Sequence, residues 1–146
     1  AHFGFSLLIL SILFNNLFSG EIITNLKVGE TFTSPNTKIV FKSINKKEEK
    51  NYISIKANFR IENLNGIIDD LSPELRIYNQ PNIATSEADI KTSLLSDKFI
   101  VFNAVQNQDY FNVRYQVKSF MLWIWLSVIL ISLAGFISFF KKEYEK

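Results

Sequence analysis

Hydrophobic and polar positions fall into three regimes along the chain. From Phe120 to Phe140 there are 21 consecutive uncharged residues, and at ~1.5 Å per residue a helix over them extends roughly 31 Å, the thickness of a bilayer's hydrocarbon core. Trp123 and Trp125 stand at the start of the run and Tyr144 beyond its end, where amphipathic rings favour the membrane interface, and Lys141 and Lys142 follow at once. The pattern predicts a transmembrane helix over 120–140 and a cytoplasmic or matrix-side tail over 141–146. Phe3 to Phe18 is a second apolar stretch, diluted by Ser6, Ser11, Asn15 and Asn16. It predicts a second span over 1–19 if the helix begins upstream of Ala1, so the N-terminus is expected to be a cut in a longer sequence. A signal peptide is the rival reading, but its leading region would be basic and no Lys or Arg precedes Lys27.

Between these ends the period changes to two. Ile53, Ile55, Ala57, Phe59 and Ile61 alternate with Ser54, Lys56, Asn58 and Arg60, as in a half-buried strand. Asn63-Leu64-Asn65-Gly66 reads as a turn with Gly66 at positive φ, and the chain from Ile67 is expected to pair back, polarity resuming at Asp69-Asp70. Asp97 to Val105 reads as a buried strand, Asn107-Gln108-Asp109 as a turn, and Phe111, Val113, Tyr115 and Val117 as the inward face of a partner strand that runs straight into the membrane helix. Ile22 to Val28 and Lys38 to Ile44 are shorter candidates, separated by the turn residues Pro35-Asn36. Ser86 to Lys91 is expected to form a short helical turn capped by Thr85. The predicted architecture is membrane α with an extracytoplasmic all-β domain: two transmembrane helices flanking a small β-sandwich or barrel-like domain over 20–119.

Composition sharpens this picture. A mean hydropathy of +0.10 beside 21% charged residues reflects apolar ends joined to a polar middle. Residues 20–119 carry 13 Lys/Arg against 12 Asp/Glu, a near-neutral balance that offers nucleic acid no basic face. With no cysteine, disulfide frameworks and thiolate metal sites are excluded. The mixed-sign cluster Lys46-Lys47-Glu48-Glu49-Lys50 reads as a solvated loop.

Chemistry-bearing motifs are sparse. There is no glycine-rich phosphate loop, nucleophile elbow or metal-spaced His/Cys set, and a single histidine does not build a triad with a second acid–base group. Glu74 and Arg76 straddle Leu75 as an ion pair would on one strand face. His2 stands apart because an ionisable group at a membrane segment is costly and tends to face a partner, a cavity or a cofactor. The alternative for His2 is an interfacial side chain solvated by headgroups.

Taken in order, Ala1-His2-Phe3-Gly4, Leu26-Lys27-Val28-Gly29-Glu30, Pro73-Glu74-Leu75-Arg76-Ile77-Tyr78, Thr85-Ser86-Glu87-Ala88-Asp89-Ile90, Asp97, Val113-Arg114, Lys118, Phe120 and Trp123-Ile124-Trp125 resemble the C-terminal part of the CcmF family, haem lyase subunits of the cytochrome c maturation system. The resemblance implies that His2 is one of two axial ligands of a resident haem b, the other lying on a helix outside this chain. Bis-imidazole ligation in a low-dielectric site is a chemically sensible way to hold that iron. It also implies a bacterial or mitochondrial inner-membrane location, and as partners the remaining helices of the same haem lyase, a haem chaperone, apocytochrome-handling subunits, apocytochrome c and membrane lipid. Arg76, Arg114 and Lys118 are expected to face the membrane side or a propionate-bearing ligand, since cations suit carboxylates. Ser119 departs from the proline usual in the family. The family's tryptophan-rich haem-handling segment and its other external histidines are not in this chain, so it is expected to be part of an enzyme and not catalytically complete by itself. The competing reading is a non-catalytic membrane scaffold in which His2 ligates nothing. A third is a secreted β protein with a cleaved leader and a C-terminal anchor.

Overall fold

A computed structural model describes residues 2–105 and 108–144. The chain forms α1 (His2–Phe18), β1 (Gly20–Leu26), β2 (Thr31–Thr33), β3 (Thr37–Glu48), β4 (Tyr52–Asn63), β5 (Ile68–Leu71), β6 (Glu74–Tyr78), β7 (Ile83–Glu87), β8 (Asp89–Thr92), β9 (Ser96–Ala104), β10 (Phe111–Ser119) and α2 (Met121–Tyr144). They gather into two compact units: residues 21–91 with 98–116, and a second made of α1, residues 92–97 and the stretch from Val117 through α2.

The larger unit is built from two sheets. One runs β2-β3-β4-β6-β7 with β5 also paired to β4, and the other runs β1-β10-β9-β8. The alternation read in 53–61 is that of β4, which is antiparallel to β3 with Phe41 opposite Phe59 and Ile39 opposite Ile61. Ala57, Phe59 and Ile61 are buried, and Lys42 forms a bulge where the register shifts between Phe41 and Ser43. The turn at 63–66 forms as expected, with Gly66 at φ 71° and its N–H donated to Asn63 O at 2.9 Å. β5 then returns antiparallel to β4, Glu62 opposite Ile68.

Aromatic rings close the space between the sheets. Phe41 stacks on Phe59 at 4.3 Å and meets Phe111 edge-on at 5.7 Å, while Phe102 lies 6.2 Å from Phe59 and 5.8 Å from Phe111. Around them Ile39, Ile61, Ile100, Val113 and Tyr115 are buried. Burying each such side chain contributes about 1.5–3 kcal/mol, which makes this cluster the core of a sandwich. Val113 and Tyr115 are the buried centre of the inward face predicted for β10.

Three expectations need correction. Residues 86–91 are not helical: Ser86 and Glu87 end β7, and 89–91 lie in β8, because pairing with β6 outweighs a weak local helical signal. Lys46–Glu48 are not loop but the end of β3, paired with 53–55 of β4, although they remain exposed. Asp69 is not a return to polar surface. The register that sets it opposite inward-facing Ile61 buries its side chain and leaves Ile68 outside. Of the predicted 107–109 turn, Asn107 lies outside the described residues, and Gln108 N–H donates to Val105 O at 3.3 Å.

In the smaller unit, α2 contains Met121–Phe140, 20 residues with a mean hydropathy of 2.2, long and apolar enough to cross a membrane. α1 is apolar but shorter.

Candidate functional site

The helix pair is where the sequence concentrates unexplained polar groups. α1 and α2 run antiparallel, since Phe14 and Phe18 near the end of α1 pack on Phe120 at ring separations of 5.0 and 6.5 Å, while Gly4 at its start meets Ile131 and Leu130. A Cβ at Gly4 would fall 3.0 Å from Ile131 Cγ1 and 3.3 Å from its backbone N, so glycine is what permits this approach. Ser11 and Ser127 are the other small buried residues, their hydroxyls donating to Leu7 O and Trp123 O, each at 2.7 Å. Small residues at contact points are how apolar helices pack without a hydrophobic driving force. An apolar groove of about 200 Å³ runs along the pair, lined by Leu7, Leu10, Ser11, Phe14, Phe120 and Trp123.

Ser119 fastens one end of this pair. Its N–H donates to Ser19 Oγ at 3.0 Å, its hydroxyl donates to Phe18 O at 3.0 Å, and its carbonyl accepts from Asn15 Nδ2 at 2.5 Å. Proline could supply only the last of these, so the departure from the family pattern carries its own local chemistry. Phe120 follows at φ 59° and donates its N–H to Leu95 O at 2.8 Å. The sequence marks Asn15 only as a polar interruption of an apolar run and Ser119 only as a departure from the family's proline, and neither signal predicts the hydrogen bond between them.

His2 lies in the first turn of α1, two residues before Gly4, with an exposed side chain. One imidazole supplies one iron ligand, and the flanking Phe3 and Phe5 are exposed as well, an apolar setting compatible with a porphyrin face. The three predicted cations are not brought together. Arg76, on β6, donates from Nε to Glu74 Oε1 at 3.0 Å and from Nη2 to Glu74 Oε2 at 3.2 Å, reaches Glu87 at 2.5 Å, and lies over the Tyr52 ring. Its hydrogen bonds to Glu74 raise its pKa, and they and the Ser54 hydroxyl lower that of Glu74. Arg114, on β10, pairs with Glu21, which also accepts from Gln116. Lys118 ends the same strand face and is exposed.

A buried charge cluster was missed by the sequence reading. Asp69 on β5, 2% exposed, accepts from Lys91 of β8 at 2.6 Å and Lys98 of β9 at 2.7 Å, joining the two sheets. Burial pushes its carboxyl up, yet the two lysines outweigh this and hold it below the ordinary carboxylate value. Tyr115 is raised to about 12 by burial and by the nearby Asp69 charge.

Residues 17–119 match the family described as the CcmF C-terminal beta-sandwich. The chain belongs to that family. The cytochrome c-type biogenesis protein CcmF of Haemophilus influenzae is 26% identical over 145 residues, covering 99% of this chain and 22% of the relative. CcmF of Pseudomonas aeruginosa is 24% identical with the same coverage. The chain thus spans about a fifth of the length of the curated CcmF relatives it matches. A solved cytochrome c haem lyase CcmF has the same fold over 90% of this chain and 22% of its own, with a TM-score of 0.66 at 18% identity.

Proposed function

We propose that this chain is the C-terminal portion of a cytochrome c-type biogenesis haem lyase in a bacterial or mitochondrial inner membrane, and that His2 is one axial ligand of its haem b. In this reading α1 and α2 are both spans, over 1–19 and 120–140, and residues 20–119 lie on the periplasmic or intermembrane-space side. The tail over 141–146 is cytoplasmic or in the matrix.

The register of the helix pair carries the proposal. Gly4 packs against Ile131, ten residues beyond Met121, or about 15 Å along a helix at ~1.5 Å per residue. With Met121–Phe140 across the hydrocarbon, His2 then lies near mid-depth rather than at the interface. An imidazole there is costly without a partner, and an iron atom is the partner its neutral nitrogen suits. When bound, the haem would supply electron-transfer chemistry. The chain's own contribution is to hold the ligand at a fixed depth through Gly4, Asn15 and Ser119. The second ligand and the haem chaperone contacts belong to other parts of the assembly, and the β domain over 20–119 docks an apocytochrome or partner subunits. Lys118 is the cation best disposed for a propionate or a partner subunit. Arg114 is shared with Glu21, and Arg76 is committed to Glu74 and Glu87.

The test is the visible spectrum of the assembly in both redox states, with His2 intact and with His2→Ala. Loss or shift of the low-spin b-type bands only in the variant is expected. Unchanged bands would leave the β domain as a non-catalytic scaffold and refute the ligand assignment.

A further inference from the structure

The turn between β8 and β9 has an unusual composition. Its tip is Ser93-Leu94-Leu95-Ser96, and the two leucines are 71% and 59% exposed, where turns ordinarily carry Gly, Asn, Asp or Pro. Its polar groups are turned inward instead. Ser93 N–H donates to Ser96 O at 3.0 Å, Ser93 Oγ donates to the same carbonyl at 2.7 Å, and Ser96 N–H donates back to Ser93 Oγ at 3.2 Å. The carbonyls of both leucines are also taken, Leu94 O by Trp123 Nε1 at 2.9 Å and Leu95 O by Phe120 N–H at 2.8 Å. A water-facing turn does not require this, because solvent satisfies its backbone. A turn that enters an apolar phase does.

The two donors also fix where the turn lies. Phe120 immediately precedes α2 and Trp123 stands in its first turn, so Leu94 and Leu95 are held level with the start of the run long enough to cross a membrane. Trp125 and Leu122 there are exposed as well. All four side chains are apolar, exposed and near the start of α2, the level at which tryptophan favours the lipid interface. We infer that the 93–96 turn dips into the bilayer interface, its occupant being lipid, and so acts as a second membrane contact that fixes the depth of α2. This rests on the reading of α2 as a membrane span.

The chain has no native cysteine, so nitroxide labels can be placed singly by Leu94→Cys, Leu95→Cys and, within α2, Val128→Cys. The labelled full chain is reconstituted in phosphatidylcholine–phosphatidylglycerol vesicles. Collision with oxygen, concentrated in lipid, is compared with collision with a water-soluble nickel chelate. The inference predicts that labels at 94 and 95 are open to oxygen and shielded from nickel, as at 128 but less deeply. Nickel access at both 94 and 95 with oxygen access at 128 would overturn it and leave the span intact. Shielding from both reagents at 94 and 95 would mean a protein cover and would also overturn it. Nickel access at 128 would refute the span itself.

Discussion

Asp69 offers the sharpest test of how the two sheets are held together. It is buried, and of its two partners Lys98 is 16% exposed by side chain whereas Lys91 is 56% exposed. Truncating the carboxylate in Asp69→Ala therefore strands the Lys98 ammonium in a largely dry site. Removing one member of a buried pair costs about 3–5 kcal/mol, most of it the uncompensated charge left behind, and partial access to Lys98 puts the expected loss near the lower end. Lys91→Ala removes an open, solvent-screened partner and should cost no more than about 1 kcal/mol. Guanidinium unfolding of the full chain in detergent, followed by the β signal in circular dichroism, measures both. The pH dependence has a definite sign. The carboxyl pKa is lowered in the folded state, so its contribution is fully present above the ordinary carboxylate value of about 3.9. It is lost as pH falls through the folded value, and the gap between wild type and Asp69→Ala should stay constant near neutrality and narrow only in strong acid. Equal losses for Asp69→Ala and Lys91→Ala, or a gap already closing above pH 5, would refute the reasoning.

Two further outcomes follow from neighbouring geometry. The Tyr115 hydroxyl is buried without a hydrogen-bond partner among the described residues, so Tyr115→Phe should be neutral or stabilising by about 1 kcal/mol, whereas a loss above that in the same unfolding assay would mean that the hydroxyl is bonded. Gly4→Val should force α1 from α2, because even its Cβ would crowd Ile131. Spin-label distances between Leu13→Cys and Val128→Cys should lengthen, and the matching change at Gly135, which has open space around it, should leave them unchanged.

What could be read from the sequence was set by one-dimensional pattern. β4 declares itself because alternate residues face one core, and the 63–66 turn because Gly66 can take positive φ. The apolar run of α2 is legible for the same reason: length and composition suffice. What stayed hidden depends on register. Asp69 looks like surface until pairing sets it opposite Ile61, and 86–91 looks helical until β6 supplies β7 with an edge. Likewise the sequence left His2 either as a haem ligand or as an interfacial side chain. The level at which it stands against α2 follows from the contact of Gly4 with Ile131, and neither helix encodes that alignment alone.

That alignment has two fixed points, and they work differently. At Gly4 the contact is steric and admits close approach without specifying direction along the axis, since an apolar helix can slide past small residues at little cost. At the other end the hydrogen bonds of Ser119 to Ser19, Phe18 and Asn15 are directional. A slide of one turn, about 5.4 Å, would break all three. The polar end therefore sets the register that the glycine end permits. Serine here has a physical reason that proline would not satisfy: it donates twice, through its N–H and its hydroxyl. Where the pair spans a membrane as proposed above, the depth of His2 is thus determined by residues at the opposite end of α1.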